Sequence, residues 1–222
     1  MGDFKLACVD AIGWLCGLPS DSADLVVTDP PYESLEKHRA KGTTTRLKRS
    51  KASSNVWFPV FPNVRFTELF FELYRVLKKD SHLYVFSDAE TMGVMKSAGE
   101  SAGFKFWKPL VWDKVYIGMG YHYRARYEFI LFFEKGKRKL ASLSVPDILR
   151  EPRIRTSYPT EKPVGLLKVL VQQSSVEGET ICDPFMGSGA CGESAISLGR
   201  KFLGNDIRRE ALVLTERRLK NL

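Results

Sequence analysis

The 222-residue sequence predicts an α/β fold: a mostly parallel seven-stranded sheet with helices on both faces. Three observations carry this. Short apolar runs alternate with stretches of helical period along the whole chain. The run Asp24-Leu25-Val26-Val27-Thr28-Asp29 is unbroken in its apolar middle, as in a strand buried on both faces. A glycine-rich stretch, Asp183-Pro184-Phe185-Met186-Gly187-Ser188-Gly189, stands between a strand pattern and a helix pattern.

In chain order, residues 4–8 and 24–29 read as strands, and residues 33–56, rich in Ser, Thr, Lys and Arg without apolar period, as a mobile basic loop. Residues 68–79 place Leu69, Phe70, Leu73, Val76 and Leu77 on one helical face, which the polar run 78–81 ends. Residues 83–87 are a strand, 91–102 a helix, and 104–112 and 127–133 two further strands. Pro163 suits a helix start, and residues 164–173 bring Leu166, Leu167, Leu170 and Val171 onto one stripe. Residues 180–183 are a strand, 190–198 a helix stopped by Gly199, 201–206 a strand and 208–219 the last helix. No repeat or linker divides the chain, so residues 1–222 form one domain, with residues 135–157 as a short insertion.

Composition narrows the function. With 44% hydrophobic and 27% charged residues the chain is globular. No apolar run approaches the roughly 18 residues that span a bilayer, and the start carries no apolar signal core. A cytosolic protein without a membrane partner is expected. Four cysteines are too sparse for a disulfide framework, and His38, His82 and His122 lie far apart, so metal chemistry has no support. The net charge of +8 is concentrated. Residues 33–56 hold Lys37, Arg39, Lys41, Arg46, Lys48, Arg49 and Lys51 against two acids, and residues 135–155 likewise hold seven cations against two. Two basic arms on a near-neutral body point to a polyanion.

Glycines in the 183–189 turn let the backbone bend tightly and approach a ligand, and the following helix start offers free N–H groups. Asp206, 17 residues beyond Gly189 at the end of the next strand, can accept from ribose hydroxyls. The pattern alone fits a dinucleotide enzyme as well as a methyltransferase. Only 30 residues follow Gly192, too few for the second half of a dinucleotide fold. Most of the sheet precedes the turn, as if the motif order were permuted. The second constellation is Asp29-Pro30-Pro31-Tyr32, directly after the apolar strand. Two prolines stiffen the backbone so that the Pro30 carbonyl and Asp29 can aim at one amino group. Tyr32 offers a flat face to a base. An exocyclic nucleobase amine is a poor nucleophile, and acceptors on its N–H groups favour a pyramidal nitrogen that can attack a methyl sulfonium. The base must leave the duplex first.

These motifs, with Asp10-Ala11, Trp112-x-Lys114, Tyr123-Arg124, Glu128, Tyr158-Pro159-Thr160-Glu161-Lys162-Pro163 and Leu203-Gly204-x-Asp206, resemble the β-ordered amino-group DNA methyltransferases. The resemblance covers residues 10–206. It implies a Rossmann-like methyltransferase fold with circularly permuted motif order, S-adenosyl-L-methionine as cofactor and DNA as substrate. Asp29, Pro30, Pro31 and Tyr32 would bind and activate the target amine, with Asp29 also near the cofactor's methionine amino group. Asp183, Phe185, Gly187, Ser188 and Gly189 would form the cofactor turn, Asp206 would take the ribose, and Asp10 with Ala11 the adenine edge. Thr160 and Lys162 would hold the methionine part. The basic loop at 33–56, with Arg124 and Arg126, would meet DNA. Ala190-Cys191 stand where the family usually has Thr-Thr, Tyr158 for a frequent His, Glu33 where Asn is common and Tyr127 for a usual His; none removes an acceptor or a glycine. An Asp at the head of the tetrapeptide resembles adenine-N6 enzymes more than cytosine-N4 enzymes. The short 135–157 segment, where larger relatives keep a recognition domain, implies a brief or relaxed target sequence. An N4-cytosine enzyme and an inactive DNA-binding relative stay open as alternatives, as does a homodimer.

Overall fold

The computed structural model describes residues 3–34, 59–118, 123–154, 158 and 160–222. Among them are strands β1 (Phe4–Ala7), β2 (Ala23–Thr28), β3 (Leu77–Ser87), β4 (Lys105–Asp113), β5 (Tyr127–Lys135), β6 (Ile148–Arg150), β7 (Thr180–Asp183) and β8 (Lys201–Asn205). The helices are α1 (Ala11–Gly17), α2 (Phe66–Val76), entered through a 3-10 turn at Asn63–Arg65, α3 (Met92–Ala102), α4 (Val164–Ser174), α5 (Ala190–Ile196) and α6 (Arg209–Lys220). None of the described helices is long and apolar enough to cross a membrane.

All six residues of β2 are buried, as its apolar run requires. It lies inside one sheet of order β1-β8-β7-β2-β3-β5-β4-β6, parallel to both β7 and β3. Only β5 runs against its neighbours, pairing antiparallel with β3 and β4. At β2 the chain's neighbours are β3 on one side and the distant β7 on the other. Such a reversal opens a crevice at the carboxyl ends of parallel strands, where α/β sheets bind ligands.

Alternation along the strands builds a core on each face. Val26, Leu83, Val85, Leu131 and Phe133 point to one side, beneath Leu15 of α1, Leu69, Phe70 and Leu73 of α2 and Met95 of α3. Leu25, Val27, Tyr84, Phe86 and Ile130 point to the other, beneath Leu166, Leu170 and Val171 of α4, Ala195 of α5 and Leu219 of α6. The expected helices on both faces are therefore present, each docked by its apolar stripe.

The sheet has eight strands where seven are expected. The extra strand, β6, is three residues long, buries only Leu149, and joins β4 through Val111↔Ile148. It is too short to leave a period in the sequence. The helix expected over 68–79 ends instead at Val76, and β3 starts at Leu77, opposite Ala23. Leu77 is buried by strand pairing rather than by the helix, and Lys78, Lys79 and Asp80 extend the strand at the exposed edge of the core. Helix α1 leaves a faint signal because it is seven residues long; Asp10 caps it, its carboxylate accepting from the Gly13 N–H at 3.1 Å.

The 135–155 segment is less free than its composition suggests. The Lys135 ammonium donates to the Tyr74 carbonyl at 2.8 Å, and Arg138 pairs with Glu179 at 2.7 Å. These two cations fasten β5 to the body of the fold. In the other basic segment Lys37, Arg39, Lys41, Arg46, Lys48, Arg49 and Lys51 lie outside the described residues.

Candidate active site

Asp10 follows β1, Asp29 follows β2, Asp183 ends β7 and Asp206 follows β8, so four carboxylates meet along the carboxyl edge of the sheet. They line one cleft of about 810 Å³.

One end of the cleft is the glycine turn. Gly187 and Gly189 have φ of +48° and +81°, in the left-handed region. A Cβ at Gly189 would meet Thr215 at 2.8 Å, and one at Gly187 the Tyr158 hydroxyl at 3.2 Å. Asp206 accepts the Gly187 N–H at 3.0 Å through Oδ2 and the Arg208 N–H at 2.9 Å through Oδ1. Burial nevertheless pushes its pKa up. Each oxygen keeps a lone pair for a further donor, such as a hydroxyl of a diol. Asp183 is buried and accepts the Thr28 hydroxyl at 2.8 Å and the Phe185 N–H at 3.0 Å. Burial outweighs those bonds and raises its pKa to about 7. Phe185 lies edge-on to Phe61, ring centroids 5.2 Å apart, which gives this end an apolar wall. A tight turn with glycines at 187 and 189, beside a carboxylate acceptor and an apolar wall, fits a nucleoside cofactor.

Asp10 and Ala11 also line the cleft. The Asp10 carboxylate is engaged by Arg65, at 2.8 and 3.0 Å, as well as by the helix cap. The Arg65 hydrogen bonds hold its pKa below the usual carboxylate range. Contact with an adenine edge there must share or displace the guanidinium, which sequence reading did not anticipate.

The other end of the cleft is charged. The Pro31 carbonyl accepts the Phe61 N–H at 2.8 Å, pinning the Asp29–Tyr32 tetrapeptide against the chain that enters α2. The Tyr32 hydroxyl lies 2.9 Å from Asp29 Oδ1 and 3.1 Å from Glu128 Oε1. Lys162 Nζ bonds to Asp29 Oδ2 and lies 3.3 Å from Glu128 Oε1. Lys114 Nζ reaches Glu128 Oε2 at 2.8 Å. Burial raises the Asp29 pKa, against the pull of Lys162. Burial also works against the Lys162 charge, but Asp29 and Glu128 outweigh it and raise the ammonium's pKa. For Glu128 burial is overcome by Lys162 and Lys114, which lower its pKa. Burial, with the two carboxylates, pushes the Tyr32 hydroxyl well above its ordinary value, so it remains a donor.

The structure thus gathers Asp10, Ala11, Asp29, Pro30, Pro31, Tyr32, Thr160, Lys162, Asp183, Phe185, Gly187, Ser188 and Asp206 around one cleft. Gly189 sits behind it, against Thr215. Ser188 is buried, and its carbonyl accepts from Arg218 at 3.1 Å. Arg126 pairs with Asp113, and Arg124 donates to the Gly118 carbonyl at 2.8 Å; both side chains are exposed beside the cleft rather than within its lining. Arg65, Arg153 and Arg208 line the cleft although no motif singled them out. Glu128 and Lys114 stand among the family-like motifs, but their meeting with Lys162 depends on strand pairing across β4 and β5, which no local pattern encodes.

The DNA adenine methyltransferase YhdJ of Escherichia coli K12 is 28% identical over 249 residues, covering 95% of this chain and 80% of its own length. The type II methyltransferase M.HpaI of Haemophilus parainfluenzae is 26% identical over 245 residues, covering 98% and 74%. Among solved structures, the M1.HpyAVI-SAM complex matches with a TM-score of 0.71 at 21% identity, covering 97% of this chain and 99% of that one. The cytosine-N4-specific PvuII DNA methyltransferase matches with 0.72 at 14% identity, covering 97% and 86%. At such identities these two establish a common fold, the Rossmann-like methyltransferase fold. The DNA methylase family profile (N6_N4_Mtase) matches residues 23–217, nearly the whole chain, and the chain therefore belongs to the DNA methylase family.

Proposed function

We propose that the protein methylates the N6 amino group of an adenine flipped out of DNA. As a DNA methylase it places a methyl group on DNA, and S-adenosyl-L-methionine, when bound, supplies that methyl as an electrophilic sulfonium. The observation that carries the reading is the position of the Asp29 carboxylate and Tyr32 in the same cleft as the glycine turn and Asp206.

The roles follow from the chemistry of each group. Asp29 accepts an N–H of the target amine and, with the Pro30 carbonyl, draws the nitrogen towards a pyramidal form whose lone pair is free to attack. Its carboxylate is partly exposed, so an amine can reach it from the cleft. Tyr32, held by its hydroxyl and largely buried, lines the cleft beside that position. Gly187 admits the cofactor close to the backbone, Asp206 binds the ribose and Phe185 contributes apolar contact. The adenine assignment rests on the Asp that begins the tetrapeptide; the fold itself is common to an N4-cytosine enzyme. The basic residues of 33–56, Arg124 and Arg126 supply phosphate contacts, which position DNA without reading sequence.

Incubation of the protein with methyl-labelled cofactor and unmethylated DNA tests the reading. Incorporation that disappears in Asp29→Ala supports it; no incorporation by the unaltered protein, or undiminished incorporation by the variant, refutes it. S-adenosylhomocysteine should raise the melting temperature and NAD should not, by the linkage between binding and folding.

A further inference from the structure

The charged end of the cleft contains more than the tetrapeptide. Lys162 precedes α4, Glu128 belongs to β5 and Lys114 follows β4, yet Lys162 bonds to Asp29, Glu128 to Tyr32 and Lys162, and Lys114 to Glu128. Two carboxylates and two ammonium groups form a neutral cluster. Lys162 is 8% exposed, and its Nζ also sits 4.9 Å above the Phe86 ring. An ammonium has three N–H donors. Two protein carboxylates and an aromatic face surround this ammonium, so its partners lie within the protein. The Tyr32 hydroxyl has one proton and two carboxylate acceptors, so Asp29 and Glu128 compete for it as they compete for Lys162.

We propose that Lys162 is a positioning residue for the target amine rather than a ligand of the cofactor's methionine part: it holds Asp29 as an oriented anion, and Glu128 sets how much of Lys162 and Tyr32 reaches Asp29. The inference rests on the methyl-transfer reading and gives its charged residues distinct tasks. An anionic carboxylate accepts an amine N–H; a protonated one would offer its own O–H to the nitrogen lone pair and block attack. Asp29 needs such support because burial and the Glu128 charge favour its neutral form, whereas Lys162 and the Tyr32 hydroxyl favour the anion. Among the described residues, Asp183 at the end of β7 and the Tyr158 hydroxyl also interact electrostatically with it. Lys162 and Glu128 therefore push Asp29 in opposite senses, and this opposition can be measured.

Lys162→Met should lower kcat on DNA about 100-fold, the scale of losing one preorganised electrostatic contact. Cofactor Kd by calorimetry should stay within about threefold of the unaltered protein, under 1 kcal/mol. The acid limb of the kcat–pH profile should move up by at least about half a pH unit. In Glu128→Gln the same limb should move down, since a repulsive charge is gone and Lys162 bonds more fully to Asp29. Lys162→Arg should bring the limb most of the way back. Carbon-13 titration of the Asp29 carboxyl in the cofactor-free protein should show the same opposed shifts without any turnover. If Lys162→Met fails to fold, Glu128→Gln and Lys162→Arg decide by the same titration. A Lys162→Met variant with normal kcat at saturation and cofactor Kd raised tenfold or more would overturn the proposal in favour of methionine binding. Asp29 titrations that do not move, or move in one direction in both variants, would overturn it too. If the unaltered protein transfers no methyl group, the methyl-transfer reading fails while the titration still tests the coupling.

Discussion

At the Gly187 end of the cleft the groups turned towards the proposed cofactor are backbone atoms in a left-handed turn and a carboxylate steadied by two backbone N–H groups. At the Asp29 end they are side chains whose charges balance one another across β2, β4, β5 and the segment before α4. The first construction depends on the absence of a Cβ at Gly187 and Gly189, where a methyl group would meet Tyr158 and Thr215. The second depends on the balance of its charges: without Lys162 the Asp29 carboxylate loses its ammonium partner, whereas without the Glu128 charge Lys162 bonds more fully to Asp29. Cofactor affinity and chemistry should therefore separate when the two ends are altered in turn.

The largest effect is expected at the charged end. Asp29→Asn keeps the shape and removes the anion, and single-turnover transfer should slow about 100- to 1,000-fold. Cofactor affinity should change far less, and an equal loss of both would erase the contrast between the ends. Gly187→Ala should do the reverse. A left-handed alanine beside the Tyr158 hydroxyl should weaken cofactor binding about tenfold, measured by calorimetry, while kcat at saturation changes little.

Neutralising Lys48, Arg49 and Lys51 together should leave both ends intact and act on DNA alone. The slope of log affinity against log salt should become shallower by up to about three, one unit per lost phosphate contact. An unchanged slope would remove that segment from the DNA interface.

The smallest effect is on stability, and it comes from Asp183 beneath the turn. Its pKa is about 7 in the folded protein, far above its ordinary value, because it is buried. Between about pH 4 and 7 the folded state keeps a proton that the unfolded state has lost, so this contribution to stability is lost as pH rises through 7. His82 works the other way: burial lowers its pKa to about 4, and its contribution is lost as pH falls below its ordinary 6.5. Asp183→Asn abolishes the first dependence and leaves the second. The melting temperature of the unaltered protein relative to the variant should accordingly fall from pH 5 to pH 8; a constant difference would place the proton elsewhere.

The sequence made much of this visible where one residue's environment is local. β2 is legible because six consecutive buried residues leave an apolar run, and Asp29, Asp183 and Asp206 are legible because each follows a strand pattern. β6 is invisible because it buries a single side chain, and the end of α2 is misplaced because Leu77 suits a helix stripe and a strand start equally well. The Arg65–Asp10 pair and the Lys162–Glu128–Lys114 cluster join residues brought together only by sheet register and helix docking. Motifs named several of these residues, but only the fold shows what each one touches.

The most direct test of the account is the identity of the base that is modified. DNA treated with the protein and S-adenosyl-L-methionine, digested to nucleosides and resolved by mass spectrometry, should contain N6-methyladenine, and DNA treated with Asp29→Asn should contain almost none. N4-methylcytosine as the sole product would contradict the adenine assignment, and the absence of any methylated nucleoside would contradict methyl transfer itself.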